Sequence, residues 1–142
     1  MPVLDRFIPK FLLALSVFLL CWGLLGLVEY VLPSLNIGLQ NSRFPDGLQF
    51  AHFFAIMLTG AIFVVGYLSK WPHTPFATIT MYAVLATLCF VEVMDFGAFG
   101  GGATGVLTMM LEYAMYVSLS IYLLRSKAMH RHFENALHAN KK

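Results

Sequence analysis

Residues 75–98, PFATITMYAVLATLCFVEVMDFGA, form an apolar run that closes on two carboxylates, Glu92 and Asp95. A helix needs about 20 apolar residues to cross the hydrocarbon of a bilayer, and this run is long enough. Lipid offers no partner to an open backbone, so a spanning segment without barrel-like alternation must be helical. The stretch predicts a transmembrane helix with its acidic end near one membrane face.

Three further runs of the same kind lie outward from it, at roughly 10–32, 47–69 and 104–125. The composition agrees, with 59% hydrophobic and only 11% charged residues, against about one-quarter charged in soluble domains. Mean hydropathy is +0.76. The expected fold is all-α, a four-transmembrane-helix antiparallel bundle, with residues 1–142 as a single membrane domain. The prolines punctuate these runs: Pro9 is placed at the first turn of span one, Pro33 after its end, and Pro45, Pro72 and Pro75 at connections. Arg6 and Lys10 precede an apolar run too long for a signal-peptide core, so a retained first span is expected.

Basic residues set the orientation. Arg6, Lys10, Lys70, Arg125, Lys127, Arg131, Lys141 and Lys142 fall on one side if both termini are cytoplasmic, and only Arg43 falls on the other. The reading is N-in and C-in, in a bacterial inner membrane. The formal net charge of +2 gives no nucleic-acid footprint. In the tail, 126–142, Met129, Phe133 and Leu137 recur at helical spacing among Lys127, His130, Arg131 and His132. That pattern predicts a short amphipathic helix lying on the cytoplasmic membrane surface. Cys21 and Cys89 sit in apolar segments and imply no disulfide framework.

Four of the seven acidic residues, Glu29, Glu92, Asp95 and Glu112, lie inside the apolar runs together with one histidine, His52. An ionisable group inside a span marks a functional site by default. At about 1.5 Å of rise per residue, antiparallel threading brings all five into the outer third of the membrane. Glu92 and Asp95, three apart, share a helix face, with Cys89 one turn below. Thr104, Thr108 and Glu112 form a polar line on span four, and Gly26 lies one turn from Glu29. The expectation is one shared pocket.

A buried carboxylate must be paired, protonated or bound to a cation. Only His52 and Arg43, the latter if the 33–46 loop folds inward, could supply fixed positive charge. Two chemistries follow. In the first, Glu29, Glu92 and Glu112 exchange protons, His52 is donor or acceptor and Asp95 acts on Glu92, at a quinone-type or other small ligand. Tyr30, Tyr113 and Tyr116 would contact the ligand, and Phe44, Phe50, Phe53 and Phe54 would line its approach. In the second, His52, Glu92, Glu112 and Glu29 ligate a transition metal. A bis-His haem is disfavoured, because no second intramembrane histidine exists. The inner half of the bundle carries hydroxyls but no acid, base or histidine, so a through-membrane path ranks below a one-sided site. A third reading is a non-catalytic subunit of a membrane complex or a homo-oligomer. The sequence does not decide whether the protein is an enzyme.

Over residues 8–126 the plan resembles the DoxX-like family of small four-span membrane proteins. Two hairpins, cytoplasmic termini, a polar residue near the outer end of span one and the acidic Glu112 in TMMLEYAMYV carry the likeness. His52 in LQFAHFFAIMLTG stands where the family pattern has an acidic residue somewhat deeper, and the GAFGGGATG turn at 97–105 departs from it as well. The resemblance implies a place in quinone-linked redox assemblies, or an accessory role beside soluble oxidoreductases. It assigns no catalytic residue.

Overall fold

A computed structural model describes residues 2–100 and 102–139, with side chains over 7–100 and 102–133. Gly101, Lys141 and Lys142 of the expectations above lie outside the described residues, as do the side chains of Arg6 and Leu137. The chain forms five α-helices: α1 (Pro2–Val31), α2 (Asp46–Leu68), α3 (Thr74–Phe96), α4 (Gly102–Arg125) and α5 (Lys127–Ala139). The first four are long and apolar enough to cross a membrane, and the protein is an integral membrane helical bundle.

Observed helix ends fall within two residues of the expected spans for α2, α3 and α4. The start of α1 differs. The helix begins at Pro2, so Pro9 lies inside it rather than at its first turn. The ladder loses the bond that a Pro9 N–H would make, at a level where the neighbouring Phe7 is exposed.

Lipid tails are as apolar as the helices, so packing between spans comes from close fit rather than from expulsion of water. The α1–α2 pair shows this. At Gly23 an added methyl would overlap the Met57 backbone, and at Gly60 it would overlap the Ser16 carbonyl and the Leu20 backbone. Both glycines are therefore fixed by backbone approach. The core runs through Leu12, Phe63, Leu85 and Leu123, and Tyr82 stacks on Tyr116 with ring centroids 5.2 Å apart. Buried hydroxyls in the core bond within their own helix: Thr59 donates to the Ala55 carbonyl at 2.7 Å and Thr78 to the Thr74 carbonyl at 2.8 Å. Such i−4 bonds satisfy each hydroxyl locally.

The tail is an amphipathic helix, α5, and two residues of its apolar face pack against the bundle. Met129 and Phe133 are buried in the bundle core. The His132 ring stacks on Tyr67 at 4.1 Å, and its Nε2 donates to the Tyr67 carbonyl at 2.9 Å. That carbonyl belongs to the last turn of α2, where a helix leaves its C=O groups without ladder partners. A carbonyl can only accept, so Nε2 carries the proton. The amphipathic tail helix expected from periodicity is present, and it docks on the bundle end, because the facing α2 terminus offers both an apolar seat and an acceptor.

At the opposite end, the 32–45 connection folds back over the bundle. A short 3-10 turn at Pro33–Leu35 ends at Asn36 in the left-handed region (φ 47°) and reverses the chain. α3 ends at Gly97, also left-handed (φ 60°), whose N–H donates to the Glu92 carbonyl. Phe99 follows with φ 56°, a conformation costly for a residue with a Cβ.

Candidate functional site

Two side chains from neighbouring helices fasten the fold-back loop. Glu29, buried near the end of α1, accepts the Gly38 N–H on Oε1 at 2.7 Å and the Leu39 N–H on Oε2 at 2.8 Å. Its own carbonyl accepts from Gln40 Nε2 at 2.9 Å. Gln49, buried in the first turn of α2, pairs its amide with the Asn41 peptide: nitrogen to carbonyl at 3.2 Å, and oxygen to N–H at 3.0 Å. This orientation of the amide satisfies donors and acceptors on both sides. Residues 38–41 are thereby held between α1 and α2.

Beneath the loop lies a cavity of about 250 Å³. Its roof includes Leu39, Asn41 and Phe44, and its other side is closed by Ala98 and Phe99. Its polar wall is His52 and Glu92. His52 Nδ1 contacts Glu92 Oε1, with the imidazole 27% exposed and the carboxylate 3%. The imidazole meets the Phe53 ring edge-on, centroids 5.4 Å apart. The carboxylate is removed from solvent while its partner retains access to the cavity. Such a pair can take a proton from a ligand or deliver one to it. The mixed lining, apolar side chains with Asn41, Gln49, His52 and Glu92 among them, is the usual composition of a small-molecule site.

The five ionisable residues do not share this cavity. Glu29 has both oxygens engaged by loop amides. Glu112, half-buried on α4, accepts from Cys89 Sγ at 3.0 Å on Oε2 and from the Tyr116 hydroxyl on Oε1. Asp95 is exposed and makes no hydrogen bond or ion pair with the described residues. Arg43 is exposed, and its side chain meets no carboxylate among the described residues. The single-pocket expectation is thus corrected to four separate carboxylate environments. Glu92 and Glu112 sit on α3 and α4, each turned toward a different neighbour. Among the described residues no three His, Cys, Asp or Glu side chains are grouped closely enough to hold a metal ion, so the set His52, Glu92, Glu112 and Glu29 is not assembled.

The tyrosines divide likewise. Tyr30 packs on Phe50 at 5.7 Å. Tyr113 donates to the Ala86 carbonyl at 2.7 Å, and with Tyr116 it lines a different cavity, between α3 and α4. Of the four phenylalanines expected along an approach, Phe44 and Phe53 line the His52 cavity. Phe50 and Phe54 stack on each other on the exposed side of α2. Sequence reasoning missed Gln49, although a polar residue three before His52 lies on the same helix face. It also missed the wall formed by Trp22 and the roof residues Leu39 and Asn41. Comparison with protein families, curated proteins and solved structures finds no match to this chain, so the reading of the site rests on its own geometry.

Proposed function

We propose that this protein is a redox-linked membrane subunit that binds a quinone-type or similar small ligand under the 38–44 loop. His52 and Glu92 handle the proton. The observation that carries the reading is the buried carboxylate–imidazole contact at the wall of a roofed cavity of about 250 Å³. A quinone takes two electrons, which a partner redox protein would deliver, and two protons, one on each oxygen; the His52–Glu92 pair can supply one of those protons and is reprotonated afterwards. The aromatic lining from Phe44, Phe53 and Trp22 suits a planar ring. Glu29 serves by holding the roof, and Glu112 and Asp95 stand outside this step. The orientation with both termini cytoplasmic, the bacterial inner membrane and membership of the DoxX-like family belong to the same proposal, and they place the cavity on the outer side. The fold-back loop and the dyad support an interior ligand more than they support a purely assembling subunit, which has no use for a roofed cavity.

The test is titration of a short-chain benzoquinone into protein reconstituted in lipid nanodiscs, read by thermal stabilisation against empty nanodiscs. Saturable stabilisation that His52→Ala and Glu92→Gln each weaken at least tenfold is expected. No saturable shift, or equal shifts for both variants and the parent, would refute the proposal.

A further inference from the structure

The Glu112 environment has a feature that the His52 cavity lacks. Its carboxylate has two neutral donors, the Cys89 thiol and the Tyr116 hydroxyl. No lysine, arginine or histidine pairs with it among the described residues. Glu92 has an imidazole for a partner; Glu112 has no cationic partner among the described residues. Directly beside it, between α3 and α4, lies a cavity of about 310 Å³ lined by Tyr82, Tyr113 and Tyr116 together with aliphatic side chains such as Ile79 and Ile121. Ala83 and Val117 on its rim are exposed on the flank of the bundle, which faces hydrocarbon in a membrane protein. Tyr116 joins the two features, since its ring lines the cavity while its hydroxyl donates to Glu112.

We propose that the α3–α4 cavity binds a lipophilic organic cation, an ammonium group carrying apolar substituents, and that Glu112 supplies the countercharge. Three properties select this class. The walls are apolar and open toward lipid, so the occupant is itself lipid-soluble. Aromatic faces attract cations through the ring quadrupole, and quaternary ammonium groups are the ligands that aromatic cages suit. The neighbouring carboxylate has no fixed positive partner, and in a low-dielectric setting an unneutralised charge acts over a longer range than in water. A neutral ligand would use the first property alone. An anion would be repelled by the third. The site shares no lining residue with the His52 cavity, so it stands whether or not the proposed function does.

Benzyltrimethylammonium is a suitable probe, and neopentylbenzene, its uncharged isostere with carbon in place of nitrogen, is the control. Binding is measured by saturation-transfer NMR on the full chain in phosphatidylethanolamine–phosphatidylglycerol nanodiscs, corrected for empty nanodiscs. The expected result is saturable binding of the cation, at least tenfold weaker in Glu112→Gln and unchanged in His52→Ala, with no saturable binding of neopentylbenzene. Ala83→Trp, which fills the cavity from its exposed rim, is expected to abolish binding, and it keeps the test alive if Glu112→Gln fails to fold. Exchanging phosphatidylethanolamine for phosphatidylcholine at a constant phosphatidylglycerol fraction, which leaves the surface charge unchanged, separates two sources of the same chemistry: weaker probe binding identifies a lipid choline group as the occupant, and unchanged binding identifies a free cation. Absence of saturable cation binding, equal affinity for the uncharged isostere, or full affinity in both Glu112→Gln and Ala83→Trp would each overturn the proposal.

Discussion

Replacing Glu29 by glutamine should loosen the roof of the His52 cavity without unfolding the bundle. In the parent, one buried carboxylate receives two backbone N–H groups, at 2.7 Å from Gly38 and 2.8 Å from Leu39. Glutamine keeps one oxygen acceptor and turns the other into an NH₂ group, which then faces an N–H donor. One charge-assisted bond is lost outright. Bonds of that kind contribute roughly 1.5–3 kcal/mol. At 1.36 kcal/mol per factor of ten, the local opening equilibrium shifts by about 10- to 150-fold. Hydrogen exchange reads this directly, because the two amides are the bonded groups and exchange through local opening. Gly38 and Leu39 should exchange faster by that factor in Glu29→Gln, while the amides of α3 stay as protected as before. The Gln49–Asn41 pairing remains, so the loop is weakened and not released. Unchanged exchange at positions 38 and 39 would refute the claim that Glu29 fastens the roof, and with it the separation of Glu29 from the ligand chemistry.

Gly60→Val should destabilise the α1–α2 packing by about 1–3 kcal/mol, since the new side chain meets backbone at Ser16 and Leu20 rather than a mobile side-chain end; a lower unfolding midpoint in mixed detergent–SDS micelles checks it. Phe133→Ala removes a buried ring from the α5 seat and should cost roughly 3–5 kcal/mol, seen as rapid hydrogen exchange along α5. Phe99→Gly should raise stability by about 1 kcal/mol, because it relieves a left-handed residue whose ring is half exposed. The same change removes part of the cavity lining, so benzoquinone binding should weaken while the unfolding midpoint rises.

The spans were legible because their signal is one-dimensional. Twenty-odd apolar residues bounded by proline, glycine and charge leave a helix few other readings, and α2, α3 and α4 end where that punctuation stands. Pro9 misled because proline at a helix start and proline in a helix extended toward its N-terminus look the same in sequence. The helical period of the tail was also readable, from Met129 and Phe133. What the period could not tell was which apolar surface the stripe would meet, since a membrane surface and the end of a bundle both satisfy it. His52 and Glu92 were correctly placed at one level, and the structure brings them into contact. Their companions do not join that contact, because depth along a helix can be counted whereas the side-chain partners chosen across four packed helices cannot. Glu112 meets Cys89, one turn below Glu92 on the same face of α3, and Tyr116, one turn along its own helix, so a single helical turn separates it from the His52 pair.

Counting charges across the membrane led to protons or metal, on the premise that a buried carboxylate is paired with a cation, protonated or bound to a metal. The structure answers each carboxylate separately and mostly with neutral groups. Glu29 uses two peptide N–H dipoles, Glu112 a thiol and a phenol, and Asp95 lies at the exposed end of its helix. Hydrogen bonds from neutral donors stabilise a carboxylate in place of a counterion, so net charge is a poor guide to how many groups share a site. The nature of the partner is a better one. A carboxylate held by backbone amides has nothing to exchange and fixes structure. A carboxylate held by an imidazole beside empty space can pass a proton. A carboxylate held only by neutral side chains beside an apolar, aromatic cavity keeps its charge available to a ligand. On that ordering Glu29, Glu92 and Glu112 divide into a latch, one half of a proton-handling pair and a counterion, and the two cavities should take ligands of different charge.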